Sequence, residues 1–226
     1  MNSSCVQFYF DFISPYSYFA WIRVNELCDE HDIELKAYPV VFGKLLDHWG
    51  QLGPAEITTK REWLLKDCFR YAKLNNIELR GPKFHPFNSL SALRMALKTV
   101  ANERQHQVIS AIYEAGWSKG KDLGDVNELI EALAPLGLSE KYLNDSISSA
   151  DVKAQLKTNT EEAIKLGVFG VPTMIVDKEL FWGNDQFKYI ELYLQGKDPL
   201  DQNLIKTALT RKRAIDRKKI QAKQQD

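Results

Sequence analysis

Ser14-Pro15-Tyr16-Ser17 sets two hydroxyls three residues apart, directly after the aromatic run Phe8-Tyr9-Phe10-Asp11-Phe12-Ile13. The first amides of a helix lack partners inside it, and with the helix dipole they favour an anion. A hydroxyl in that turn can donate to the same anion. The spacing is that of a Cys-x-x-Cys redox turn with oxygen in place of both sulfurs. Such a turn cannot exchange disulfides by itself, but it can steady a thiolate carried by another molecule. Ser14 suits a plain N-cap as well, with Pro15 at the first helical position. Gly170-Val171-Pro172-Thr173 is the second candidate. Proline at the entrance to a strand calls for a strand start, a bulge or a cis turn. A cis bond would leave the N–H and C=O of Val171 outward, free to pair with an extended peptide. A trans proline that merely ends the preceding helix is the simpler alternative. The third candidate is Trp182-Gly183-Asn184-Asp185. Its amide and carboxylate can cap a helix, or accept from an ammonium group while exposed N–H groups take a carboxylate.

These residues need elements to hold them. Residues 5–12 are apolar on both faces and read as a central strand. A helix follows from Ser14 to about His31, and 33–38 reads as a second strand, which together fit a βαβ unit with parallel strands. From about residue 45 to residue 148 only helical patterns occur, over 60–74, 89–100, 105–117, 126–133 and 139–147, punctuated by Gly53-Pro54, Gly81-Pro82 and His85-Pro86. A helix over 151–166 leads to the proline turn. Strands at 173–176 and 179–182 then flank Asp177-Lys178 as a hairpin, and Gly183-Asn184-Asp185 caps a helix to about Leu194. The pattern predicts a discontinuous sheet domain (1–44 and 149–200), an inserted helical domain (45–148) and a basic helix or tail (201–226). The tail, with Arg211-Lys212-Arg213 and Arg217-Lys218-Lys219, reads as a solvated segment without assigned function.

The 226 residues carry 30 Lys+Arg against 30 Asp+Glu, with 44% hydrophobic residues. Zero net charge provides no global field to draw in nucleic acid or an anionic membrane, so a small molecule or another protein is the expected partner. No apolar stretch approaches the roughly 18 residues that span a bilayer. Met1-Asn2-Ser3-Ser4 puts no basic stretch ahead of an apolar run, and the expectation is a soluble, cytoplasmic protein. Cys5, Cys28 and Cys68 are odd in number and widely spaced, which fits reduced thiols and argues against a metal cluster or a dithiol oxidoreductase.

FYFDFISPYSYFA at 8–20, FGVPTMIV at 169–176 and FWGND at 181–185, with a helical insert between, resemble the 2-hydroxychromene-2-carboxylate isomerase family. That family is related to kappa-class glutathione transferases and to DsbA-type thioredoxin folds, and the likeness runs to about Leu194. It implies an α/β, thioredoxin-like fold with a large all-helical insertion between the βαβ and αββα halves. It also implies glutathione as cofactor, a homodimer and a place in aromatic catabolism. Carried over by residue, Ser14 would steady the glutathione thiolate, and Val171, ahead of a cis Pro172, would pair with the cysteinyl backbone. Trp182, Gly183, Asn184 and Asp185 would hold the γ-glutamyl end. In the family reaction the thiolate adds to an unsaturated substrate, the former double bond rotates, and glutathione leaves unchanged. The insert would complete a substrate pocket of Tyr16, Ser17, Lys60, Arg61 and Asn88, in which a cation binds the carboxylate of a small aromatic electrophile. Lys60 and Arg61 also fit a solvated helical turn, and Asn88 an N-cap. Where the naphthalene-pathway isomerases carry an Asn-Arg pair and a further arginine, this chain has Glu56-Ile57 and Leu90-Ser91. A kappa-type transferase, which leaves glutathione on its product, and a non-catalytic thioredoxin-fold binder of glutathione or peptides are the alternatives.

Overall fold

Strand β1 (Cys5–Phe10) buries Val6, Phe8 and Phe10 on one face and Tyr9 on the other, so both faces must be covered and the strand must lie inside its sheet. In the computed structural model, which describes residues 5–212, it does. β1 pairs in parallel with β2 (Glu34–Pro39) and antiparallel with β3 (Thr173–Val176). β3 pairs antiparallel with β4 (Glu179–Trp182), giving the order β2-β1-β3-β4. Asp177 and Lys178, both at positive φ, close the β3–β4 hairpin in two residues, the geometry that suits strand twist.

Helix α1 (Pro15–His31) covers one face, with Trp21 against the rings of Phe8 and Phe10 at 5.7 and 6.3 Å. On the other face Tyr9, Val171 and Ile175 pack with Val40, Leu45, Ala163 and Val168. These partners come from α2 (Phe42–Trp49), from α9 (Ala150–Lys165) and from the segments beside them. The sequence reading did not foresee α2, whose N-cap is Val41 without a side-chain cap bond and whose second residue is glycine, so the usual start signals are missing. The rest of the insert comprises α3 (Thr58–Leu74), α4 (Leu90–Met95), α5 (Lys98–Ala101), α6 (Gln105–Tyr113), α7 (Val126–Leu133) and α8 (Glu140–Ser148). The pattern over 89–100 is two helices rather than one, because Leu97 takes an extended conformation between them. The pattern over 105–117 ends its α-helical part at Tyr113 and widens into a π turn, Glu114–Ser118.

Two further expectations shift. β1 stops at Phe10, since Asp11 leaves the ladder to bind backbone amides with its carboxylate. Gly183-Asn184-Asp185 is a turn, not the cap of the next helix. The carbonyl of Gln186 takes the amides of Tyr189 and Ile190, and α10 (Phe187–Leu194) begins after it. The described residues form one compact unit through Glu191, holding both the sheet and the insert, and a second from Leu192. The second contains α11 (Gln202–Leu209), capped by Asp201. Of the basic tail expected over 201–226, the part from 213 onward, with Arg213 and Arg217-Lys218-Lys219, lies outside the described residues, as does 1–4. No helix among the described residues is long and apolar enough to cross a membrane.

Candidate functional site

Ser14 caps α1 from an extended conformation, its hydroxyl accepting from the amide of Ser17 at 3.2 Å with Pro15 at the first helical position. The same hydroxyl donates to the carbonyl of Val171 at 3.5 Å, across 157 residues of sequence. The bond is long and weak, so its proton is easily turned elsewhere. Val171-Pro172 is cis. Val171 lies beyond the last residue of either ladder of β3, Thr173, so its backbone is not committed to the sheet. The end of β4 is drawn alongside by the Gly183 amide, which donates to the Pro172 carbonyl at 3.0 Å. Trp182 is half exposed and packs its ring 4.9 Å from Phe169. It does so over Gly170, where a Cβ would stand 2.6 Å from the indole nitrogen. Next to it Asn184 is buried with its side-chain oxygen lacking a donor among the described residues, while Asp185 is exposed and folds its carboxylate over Gly183.

The insert grips the loop that carries Ser14. Asp11, 2% exposed, accepts from the amides of Ile13 at 3.1 Å and Phe42 at 3.0 Å. Burial pushes its carboxyl above the usual range, opposed by those two amides and by the Ser89 hydroxyl. Trp117, set by the π turn, donates its indole N–H to the Phe12 carbonyl at 2.8 Å. The His85 imidazole meets the Ile13 carbonyl at 2.9 Å, and the His85 carbonyl accepts from Arg61 at 3.5 Å. Three consecutive residues before Ser14 are thus held by side chains or backbone of the insert.

Of the remaining residues expected in the site, Tyr16 donates to the Asp67 carboxylate at 2.6 Å. Burial first, then that bond, raises its phenol well above the ordinary value, so it acts as a neutral donor. Ser17 does not line an open pocket. It is fully buried, because the position three residues into α1 turns inward, and its hydroxyl faces that of Tyr113 without meeting hydrogen-bond geometry. Lys60 and Arg61 are exposed in the first turn of α3, and only Arg61 reaches the loop beside Ser14. Asn88 is exposed and accepts from the Leu90 amide at 3.1 Å, a local turn bond one residue ahead of the N-cap Ser89. Burial lifts the Cys28 and Cys68 thiols to about 12, far from thiolate chemistry. Sequence reasoning missed Asp11, Asp67 and Trp117 as parts of the site, and took His85 only as part of a polar loop of the insert, His85-Pro86-Phe87-Asn88. A carboxylate inside an aromatic strand was a visible signal for Asp11, whereas nothing local marked Asp67 or Trp117.

The sequence profile of the DSBA-like thioredoxin domain matches residues 5–195. A 2-hydroxychromene-2-carboxylate isomerase of Pseudomonas sp. (strain C18) is 30% identical over 195 residues, covering 84% of this chain and 90% of the relative. The chain belongs to the 2-hydroxychromene-2-carboxylate isomerase family of DSBA-like thioredoxin-domain proteins. A solved 2-hydroxychromene-2-carboxylate isomerase superposes on this isomerase-family chain with a TM-score of 0.78 at 25% identity, covering 91% of it and 98% of the solved chain. Glutathione S-transferase kappa 1 of Rattus norvegicus is 24% identical over 209 residues, covering 85% of this chain and 91% of the transferase. The isomerase family thus has the α/β, thioredoxin-like fold with a helical insertion that the motifs implied.

Proposed function

We propose that this chain is a glutathione-dependent isomerase similar to 2-hydroxychromene-2-carboxylate isomerase, acting on a small aromatic acidic electrophile. The observation that carries the reading is the Ser14 hydroxyl, set at the N-terminus of α1 and within reach of the Val171 carbonyl. The residues fit a γ-glutamyl tripeptide. A buried amide oxygen without a donor costs about 1–3 kcal/mol, and a ligand ammonium would supply one to Asn184. The Val171 backbone, outside the sheet ladders and with its carbonyl held only by the long Ser14 bond, suits an extended peptide backbone, with Pro172, Trp182, Gly183 and Asp185 around it. When bound, glutathione supplies a sulfur nucleophile that adds to the substrate and leaves again. Ser14 donates to that sulfur as an anion, and the first amides of α1 add their dipole. Arg61, at the rim, suits a substrate carboxylate, with Lys60 as a second cation and Tyr16 as a neutral donor. A homodimer and a cytoplasmic location belong to the same reading.

Calorimetric titration with reduced glutathione, followed in parallel by thiolate ultraviolet absorbance, tests it. Saturable binding with a thiolate signal supports the reading, and no binding rejects it. A kappa-type transferase outcome is the second reading, favoured by one observation. Glu56 is engaged with the Gly53 amide, and no arginine stands at 57 or 91, so fewer cations are available for an acidic substrate. Product analysis separates the two, since the isomerase regenerates glutathione and the transferase consumes it.

A further inference from the structure

The His85 ring is anchored to the carbonyl of Ile13, the residue next to Ser14. Tyr16 meets Asp67, and Phe19 meets Tyr71 at 4.7 Å between ring centroids, so α1 and α3 run side by side in the same direction. Arg61, six residues ahead of Asp67, therefore lies roughly 9 Å further along α3, past the first turn of α1. From there it reaches the His85 carbonyl, and the His85 ring turns back to the residue before Ser14. Both side chains thus lie beside the loop that leads into α1. A carbonyl oxygen can only accept, so the Ile13 contact at 2.9 Å places the neutral ring's hydrogen on Nε2 and leaves Nδ1 as an acceptor, without a partner among the described residues. The ring is held further by Trp117 at 5.6 Å and Phe87 at 6.5 Å. This is a base oriented by a third group, as nucleophile-activating bases are.

We infer that His85 is the proton acceptor for the thiol that Ser14 receives, a role that rests on the glutathione reading above. In the step, the S–H bond breaks with its electron pair left on sulfur, and the proton forms a bond to Nδ1, giving a thiolate beside an imidazolium. Burial first, and then the charge of Arg61, hold the free imidazole below its ordinary 6.5, against the Ile13 bond, so near neutral pH it is unprotonated and able to accept. Arg61 is the charged side chain facing it from α3. The Trp117 and Phe87 rings are uncharged, and the Asp11 carboxylate is engaged with the Ile13 and Phe42 amides. A thiolate placed beside the ring favours the imidazolium and so retains the proton.

The test counts protons rather than turnover. Reduced glutathione is titrated into the full chain near pH 7 in buffers of differing ionisation enthalpy, with thiolate absorbance recorded on the same samples. If His85 keeps the proton, the thiolate signal appears with almost no proton released to buffer, while His85→Gln, which retains a donor toward Ile13, releases about one proton per thiolate formed. Release of about one proton by the unaltered protein overturns the inference and leaves the glutathione reading standing. Binding without any thiolate signal overturns both. The proton count of the unaltered protein decides the matter even where the variant does not fold.

Discussion

Ser14 has one oxygen and one proton for three calls: the amide of Ser17, the carbonyl of Val171 and the anion it is proposed to meet. The oxygen can keep the amide while the proton turns, which is why a hydroxyl suits this corner and a methyl does not. Ser14→Ala should lose a helix cap worth about 0.5–2 kcal/mol and raise the pKa of bound glutathione enough to cut thiolate population roughly ten- to hundredfold. A urea midpoint and the thiolate absorbance at saturating glutathione read the two effects apart, and an unchanged thiolate population counts against Ser14. Gly170→Ala makes a different point. Its Cβ would meet the Trp182 indole at 2.6 Å, and because that ring is half exposed it can move rather than force the backbone. The variant should keep its stability, shift the tryptophan fluorescence and weaken glutathione binding. Retained affinity with a shifted spectrum would remove Trp182 from the binding surface.

Elements explain how that corner is kept in place. The loop from Asp11 to Ile13 is neither strand nor helix; its Phe12 and Ile13 carbonyls are taken by the Trp117 indole and the His85 ring, and its Asp11 carbonyl by the Ser14 amide. Trp117 reaches Phe12 because the chain widens into a π turn after Tyr113, a deviation often found at functional sites. Trp117→Phe keeps a ring but leaves the buried Phe12 carbonyl unpaired, at a cost of about 1–3 kcal/mol. If the grip matters to chemistry, the thiolate pKa should rise while glutathione affinity stays near that of the parent, a split that a merely structural loss would not produce. The strands, α1, α7 and the β3–β4 hairpin were legible in the sequence because period and turn chemistry agree there. The π turn was not, since apolar residues continue at helical spacing through 117.

For the whole molecule, the histidines set a pH dependence. Burial is the first cause that lowers both His85 and His106 below 6.5. The unfolded chain then binds more protons than the folded one between the folded value and about 6.5, so stability is full above about pH 6.5 and declines as pH falls through that window. Urea midpoints taken from about pH 8 down to about pH 5 should show the decline, and His106→Gln should flatten it. A flat profile would mean that neither ring is held neutral by its surroundings. The sequence by itself determined the order of the strands, most of the helices, the family and the motifs at Ser14 and Val171, because local periodicity and turn residues act over a few positions. Only the tertiary structure decided that Ser17 turns inward, that His85 and Trp117 bind the carbonyls ahead of Ser14, and that Arg61 meets the His85 loop. Those placements depend on packing between segments 51 to 105 residues apart in the chain. Packing is a property of the whole set of buried faces, not of any one segment.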